Sequence, residues 1–235
     1  VLALLLALTL LLCTCGAKKT PLEQTAAYLR KVTPEPTFGS LTGDWTVFGL
    51  ARSGVQVAGK YYETYYGNVE AAVTEAGGKL SETKYTEYSR LVLALTAIGR
   101  DVTNVGGYDL LQGLSDLEFV KYQGNNGPIW ALIALDSGDY PIPANTGAET
   151  QATRQMYIDY ILNGQLPDGS WSLSGGGDPD LTAMALTALA PYYTKDLKVQ
   201  EAIDKAIARL SEMQDEDGGY STSYDGTTKI AYSQR

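Results

Sequence analysis

Two carboxylic acids in "GGGDPDLTAMALTAL", Asp178 and Asp180, stand two residues apart at the mouth of an apolar run. A carboxyl kept protonated in apolar surroundings can deliver a proton to a substrate, and a neighbouring carboxylate helps to keep it protonated. The same residues also spell a helix start. Asp178 suits the N-cap, Pro179 the first helical position, and Asp180 the first turn, where the helix dipole favours negative charge. That dipole favours the ionised form, against the needs of an acid catalyst. Capping asks less of the sequence than catalysis, and Asp180, with Asp178 beside it, is the one candidate acid.

Other chemistries are pruned by what the chain lacks. It has no histidine, so a Ser-His-Asp or Cys-His nucleophile and any imidazole-bound metal are excluded. Its two cysteines, Cys13 and Cys15, both fall in the N-terminal apolar segment, leaving no thiolate or disulfide for the folded body. No metal or other cofactor is expected. With 18 basic against 27 acidic residues and a net charge of -9, no basic block is available to neutralise phosphates, so nucleic acid is not an expected partner. At 44% apolar and 19% charged residues the composition is that of a globular domain, not a disordered chain.

The segment "VLALLLALTLLLCTCGAKK" is shorter than the roughly 20 apolar residues that span a bilayer and fits the apolar region of a secretory signal. It begins at Val1 without a methionine, as a truncated leader would. "LCTCG" resembles the lipobox of bacterial lipoproteins, in which the cysteine after the cleavage point, here Cys15, receives the lipid. Thr14 departs from the usual small residue before that cysteine. The expectation is export, with the body held to the outer face of the bacterial cell membrane through a lipid anchor, or else secreted. Residues 1–15 are then the leader, 16–39 an N-terminal helix around Leu22 to Lys31 with a Pro-rich linker, and 40–235 the main domain.

Within that domain four runs, "DWTVFGLARSG", "TEYSRLVLALTAIG", "GPIWALIALDSG" and "DPDLTAMALTALAP", are rich in apolar and small residues and end in turns. The first three close at Gly54, Gly99 and Gly138, 45 and 39 residues apart, an internal period that points to stacked helical units. Between them lie amphipathic segments. One puts Tyr62, Tyr65, Tyr66, Val69 and Val73 on one face; another does so with Val199, Ala202, Ile203, Ala206, Ile207 and Leu210. Helices apolar on every side must be covered on every side. The four runs are therefore expected to form an inner layer, and the amphipathic segments an outer one.

One loop occurs twice. "YILNGQLPDGSWS" at 160–172 matches "RLSEMQDEDGGYS" at 209–221, both reading Gln, three residues, Gly, one residue, aromatic, with Gln165 and Gln214 49 residues apart. The Asp-Gly pair makes a turn, the Gln can satisfy backbone groups at a helix end, and Trp171 or Tyr220 packs against the neighbouring unit. This looks like the QW motif, so the chain resembles the terpenoid cyclase and protein prenyltransferase superfamily. It is most similar to bacterial cell-envelope proteins with prenyltransferase and squalene oxidase repeats.

The resemblance implies an all-α fold, an α/α toroid. That toroid needs about six helix pairs, and this chain has about four before it stops in "TTKIAYSQR", where another inner helix is expected. The toroid is therefore expected to be incomplete through C-terminal truncation. Zinc-dependent prenyl transfer is not carried over without histidine, nor is a thioester without its Cys-Gly-Glu-Gln. Two uses remain. Class II cyclases carry Asp-x-Asp-Asp-Thr-Ala; here Asp178, Asp180, Thr182 and Ala183 match, but Leu181 stands in place of the last acid. The other use is binding, as in cobalamin carriers with the same toroid. Parallel inner helices would gather their starts, Asp44, Trp45, Glu87, Tyr88, Asn125, Asn126 and Asp180, around a pocket for a corrinoid or isoprenoid ligand. The reading favoured is a non-catalytic ligand-binding or interaction module, with a cyclase-like enzyme and a structural spacer at the cell surface as alternatives.

Overall fold

A computed structural model describes residues 19–41, 43–173, 175–224 and 227–230. Residues 1–18, which the sequence suggests are a leader with Cys15 as its lipidation residue, lie outside the described residues.

The chain opens with α1 (Pro21–Val32), whose start is a capping box: Glu23 N donates to the Thr20 hydroxyl while Thr20 N donates to the Glu23 carboxylate. Then come α2 (Asp44–Arg52), α3 (Gly59–Glu75), α4 (Thr86–Ala97), a single turn α5 (Leu117–Val120), α6 (Asn126–Asp136), α7 (Arg154–Asn163), α8 (Pro179–Leu189) and α9 (Leu197–Met213). Among the described residues the fold is all-α but for one hairpin, in which β1 (Ser221–Tyr224) pairs antiparallel with β2 (Thr227–Ile230). Residues 227–230, where the sequence predicts the beginning of another inner helix, are instead extended and paired with β1.

The two kinds of helix sort into two layers. The inner helices pack in chain order, α2 on α4, α4 on α6 and α6 on α8, while α7 and α9 lie against α6 and α8 from outside. Burial follows the amphipathic pattern. Tyr65, Val69 and Val73 of α3 are buried, as are Val199, Ala202, Ile203 and Ala206 of α9. Ile207 departs from the expected face and is 53% exposed, because α9 turns only a narrow strip inward. The outer position between α4 and α6 has no long helix. A 3₁₀ turn (Leu110–Leu114) and α5 fill it instead, burying Val102, Val105, Leu110, Leu111 and Leu114. The Tyr157 hydroxyl of α7 ties this segment down by donating 2.6 Å to the Leu114 carbonyl.

The ends of the inner helices explain part of the repeat. Gly54 and Gly99 take the left-handed backbone after α2 and α4, at φ of 74° and 70°. After α6 that place belongs to Asp139, at φ 51°, a residue type that tolerates it. Gly138 is small for another reason: a Cβ there would lie 2.4 Å from the Tyr140 ring.

The repeated loops are built alike. In the first, Gln165 Nε2 donates to the Gly169 carbonyl at 2.9 Å, Gly169 has φ 91°, and Asp168 accepts from Ser170 N. In the second, Gln214 Nε2 donates to the Gly218 carbonyl at 2.8 Å, Gly218 has φ 85°, and Asp217 accepts from Gly219 N. Gln165 also reaches outside its own loop, donating 2.8 Å to the Ala202 carbonyl of α9. Trp171 is fully buried, and its indole N–H donates to the Ile161 carbonyl. Thr182, one turn into α8, joins the loop to that helix: its hydroxyl accepts from Trp171 N at 2.9 Å and donates to the Asp178 carbonyl at 2.6 Å.

Candidate functional site

The starts of three inner helices meet. Trp45 of α2, Thr86 and Arg90 of α4, and Asn126 and Trp130 of α6 line a cleft of about 170 Å³, so these helices run in the same direction. The Trp45 and Trp130 rings lie 5.2 Å apart between centroids. Behind them the acids are occupied. Asp44, with no exposed surface, accepts from Arg90 Nε at 2.7 Å, from the Tyr65 hydroxyl at 2.8 Å and from Gly39 N at 3.1 Å. Glu87 takes the other arm of the Arg90 guanidinium. Tyr88 is buried, its hydroxyl donating to the Gly78 carbonyl and accepting from Leu80 N. Asn125 is half-buried against Gly164. Of the seven helix-start residues expected at a pocket, the structure brings Trp45 and Asn126 to the cleft and gives Asp44, Glu87 and Tyr88 architectural work.

Asp178 and Asp180 divide in the same way. Asp178 is the N-cap of α8, its carboxylate accepting from Leu181 N at 2.8 Å, with Pro179 in the first turn. Asp180 is half-buried, and its carboxyl forms no hydrogen bond to a described residue. Burial first, and then the charge of Asp178, pushes its carboxyl above the usual range. That direction suits a proton donor. Asp180 is not, however, among the residues lining this cleft or the larger one described next.

The larger cleft, about 420 Å³, lies at the other ends of the same helices. Phe48 and Arg52 of α2, Leu93, Thr96 and Ala97 of α4, Ile133 and Asp136 of α6, and Thr187 and Ala188 of α8 line it, with Ser137 and Pro191 at its edge. The two clefts share one strip. Trp45 and Phe48, Arg90 and Leu93, and Trp130 and Ile133 are three residues apart, one turn along a common face, and the Trp45 and Phe48 rings meet edge to face at 5.9 Å. Here the expectation of inner helices covered on all sides fails. Trp45 is 37% exposed, Phe48, Trp130, Ile133 and Met184 are half-buried, and Ala183 and Thr187 are exposed.

The polar groups of the large cleft are mostly engaged. Thr96, Ser137 and Thr187 donate to carbonyls of their own helices, so none of these hydroxyls is aimed at a partner base. Asp136 accepts from Arg154 Nε at 2.9 Å and from the Tyr192 hydroxyl at 2.8 Å. Burial, and then the bond to Asp136, pushes the Tyr192 phenol up to about 12, which keeps it a donor at neutral pH. Among the described residues no group of three or more acidic or thiol side chains could hold a metal, and no helix is long and apolar enough to cross a membrane. The arrangement can enclose an apolar body along a rigid face.

Sequence reasoning missed Phe48, Leu93, Ile133 and Thr187. The available signal was a second register: Trp45, Phe48 and Trp130 are bulky aromatics within otherwise aliphatic and small-residue helices, at spacings that share a face. No family model, characterised protein or solved structure matches the chain, so the functional reading rests on these residues.

Proposed function

We propose that the chain is an exported, lipid-anchored envelope protein whose helical stack forms an arc of an α/α toroid and acts as a non-catalytic ligand-binding module. Alternating layers, inner helices running the same way, and two loops of one design support the toroid reading. One observation carries the binding reading: four successive inner helices leave a shared apolar and aromatic strip open across a cleft of about 420 Å³, within the roughly 300–1,000 Å³ typical of small-molecule sites. The site is thereby moved from the polar helix starts to the face between them. A corrinoid or an isoprenoid is the ligand class suggested by the family resemblance.

Titration of the folded protein with the neutral fluorophore Nile red tests the groove. The expected result is saturable emission at one dye per chain, abolished by Ile133→Glu, which places a charge on the strip. Emission that does not saturate, or that survives Ile133→Glu, removes the groove as a binding site. Equilibrium dialysis against cobalamin separately tests the corrinoid form.

A second reading, a cyclase-like enzyme with Asp180 as the acid, draws on the upward displacement of that carboxyl. Incubation with squalene, comparing wild type with Asp180→Asn, decides it: no cyclised product from wild type ends the reading.

A further inference from the structure

The large cleft carries one uncompensated charge. Its charged lining residues are Arg52 and Asp136, and Asp136 is already neutralised by Arg154 and bonded to Tyr192. Arg90, Arg154 and Arg209 each hold a carboxylate, and Arg100 lies over the Tyr66 ring at 4.5 Å. The guanidinium of Arg52, exposed at the last residue of α2, has no hydrogen bond or ion pair with any described residue. A guanidinium presents a planar fork matched to the two oxygens of a carboxylate or phosphate. In a chain of net charge -9, a cation left unpaired beside an apolar cleft is set against the prevailing charge.

The obvious objection is that helix C-terminal ends converge at this mouth, and their carbonyls repel anions. At each of α2, α4 and α6 at least one of those carbonyls is covered. The Leu50 carbonyl accepts from the Ser53 hydroxyl, Leu95 from Arg100 N, Ala134 from the Ser137 hydroxyl, and Leu135 from Tyr140 N and the Arg154 guanidinium. An anionic head at Arg52 therefore meets a cation beside partly satisfied helix ends, while its body lies along Phe48, Leu93 and Ile133.

We infer that the groove takes an amphiphilic anion, an apolar body ending in a carboxylate or phosphate, with Arg52 as the head-group contact. This rests on the groove being a ligand site, and the test separates the two. The probes are decanoate, decyl phosphate, decanol and decyltrimethylammonium, each titrated calorimetrically into the folded protein below its aggregation concentration. The anions are expected to bind about two- to fivefold tighter than decanol, the range that an ion pair at an exposed guanidinium gives. The cation is expected to bind more weakly than decanol. Arg52→Gln should bring the anions and decanol to similar affinity, read as the ratio of the two within each variant, whereas Arg52→Lys should keep part of the preference. Decanol binding as tightly as the anions, or a preference that survives Arg52→Gln, overturns the anion inference while the groove stands. If no probe binds saturably, the groove reading falls and the inference with it. The carboxylate and phosphate arms then tell which head group is preferred.

Discussion

Replacing Asp44 by Asn tests whether the acid at the start of α2 is architecture. The side chain is fully buried and accepts three hydrogen bonds, from Arg90, Tyr65 and Gly39. An amide of the same shape keeps one acceptor oxygen but removes the charge opposite Arg90, which is only 7% exposed. Glu87 remains as the sole carboxylate on that guanidinium. Breaking a buried ion pair from one side costs about 3–5 kcal/mol. For a chain of 150–250 residues, at roughly 2–4 °C per kcal/mol, the midpoint should fall by about 6–20 °C. Circular dichroism melts at pH 7 read this directly. Adding Arg90→Met should recover part of the loss, because the unpaired buried cation goes with it. Nile red binding, measured well below the lowered midpoint, should be unchanged. A fall below about 3 °C, worth roughly 1 kcal/mol, would show that the pair is not holding α2 to α4.

Three further outcomes follow from the same contacts. Asp178→Ala should cost about 0.5–2 kcal/mol in urea unfolding, as loss of an N-cap does. Asp180→Asn should raise the melting midpoint at pH 7. The folded carboxyl lies above its unfolded value, so ionisation removes stability as pH rises from the unfolded pKa through the folded one. The gain should vanish below about pH 3.9, where both states are protonated, and a lower midpoint at pH 7 would mean that the helix dipole outweighs burial. Gln165→Ala should cost about 1–3 kcal/mol, since Gln165 holds both its own loop and α9, and Gln214→Ala, with one such bond, should cost less. Urea titrations that rank the two in the opposite order would refute the bridging role of Gln165.

The sequence revealed layers more readily than surfaces. Aliphatic runs such as Leu91 to Leu95 mark a buried element, and the four-residue spacing of Tyr65, Val69 and Val73 names its own buried face. The N-cap at Asp178 was legible because a capping bond joins residues three apart. The site was harder to see, because its position depends on which side of an apolar helix lacks a neighbour. Nothing in the spelling of α6 separates half-buried Ile133 from fully buried Leu132. Long-range partners were likewise hidden: Asp44 and Glu87 looked like free polar groups at helix starts until Arg90, 46 residues beyond Asp44, filled the space between them.

The bond from Gln165 to Ala202 bears on the groove although it lies far from it in the structure's logic. In a stack where each unit touches mainly its neighbours, small rotations between units add up along the series. A latch that holds the loop after α7 to α9 constrains one such rotation, as a hoop holds the staves of a cask. Variation in such hoops can retune the width of the groove while every lining residue stays the same.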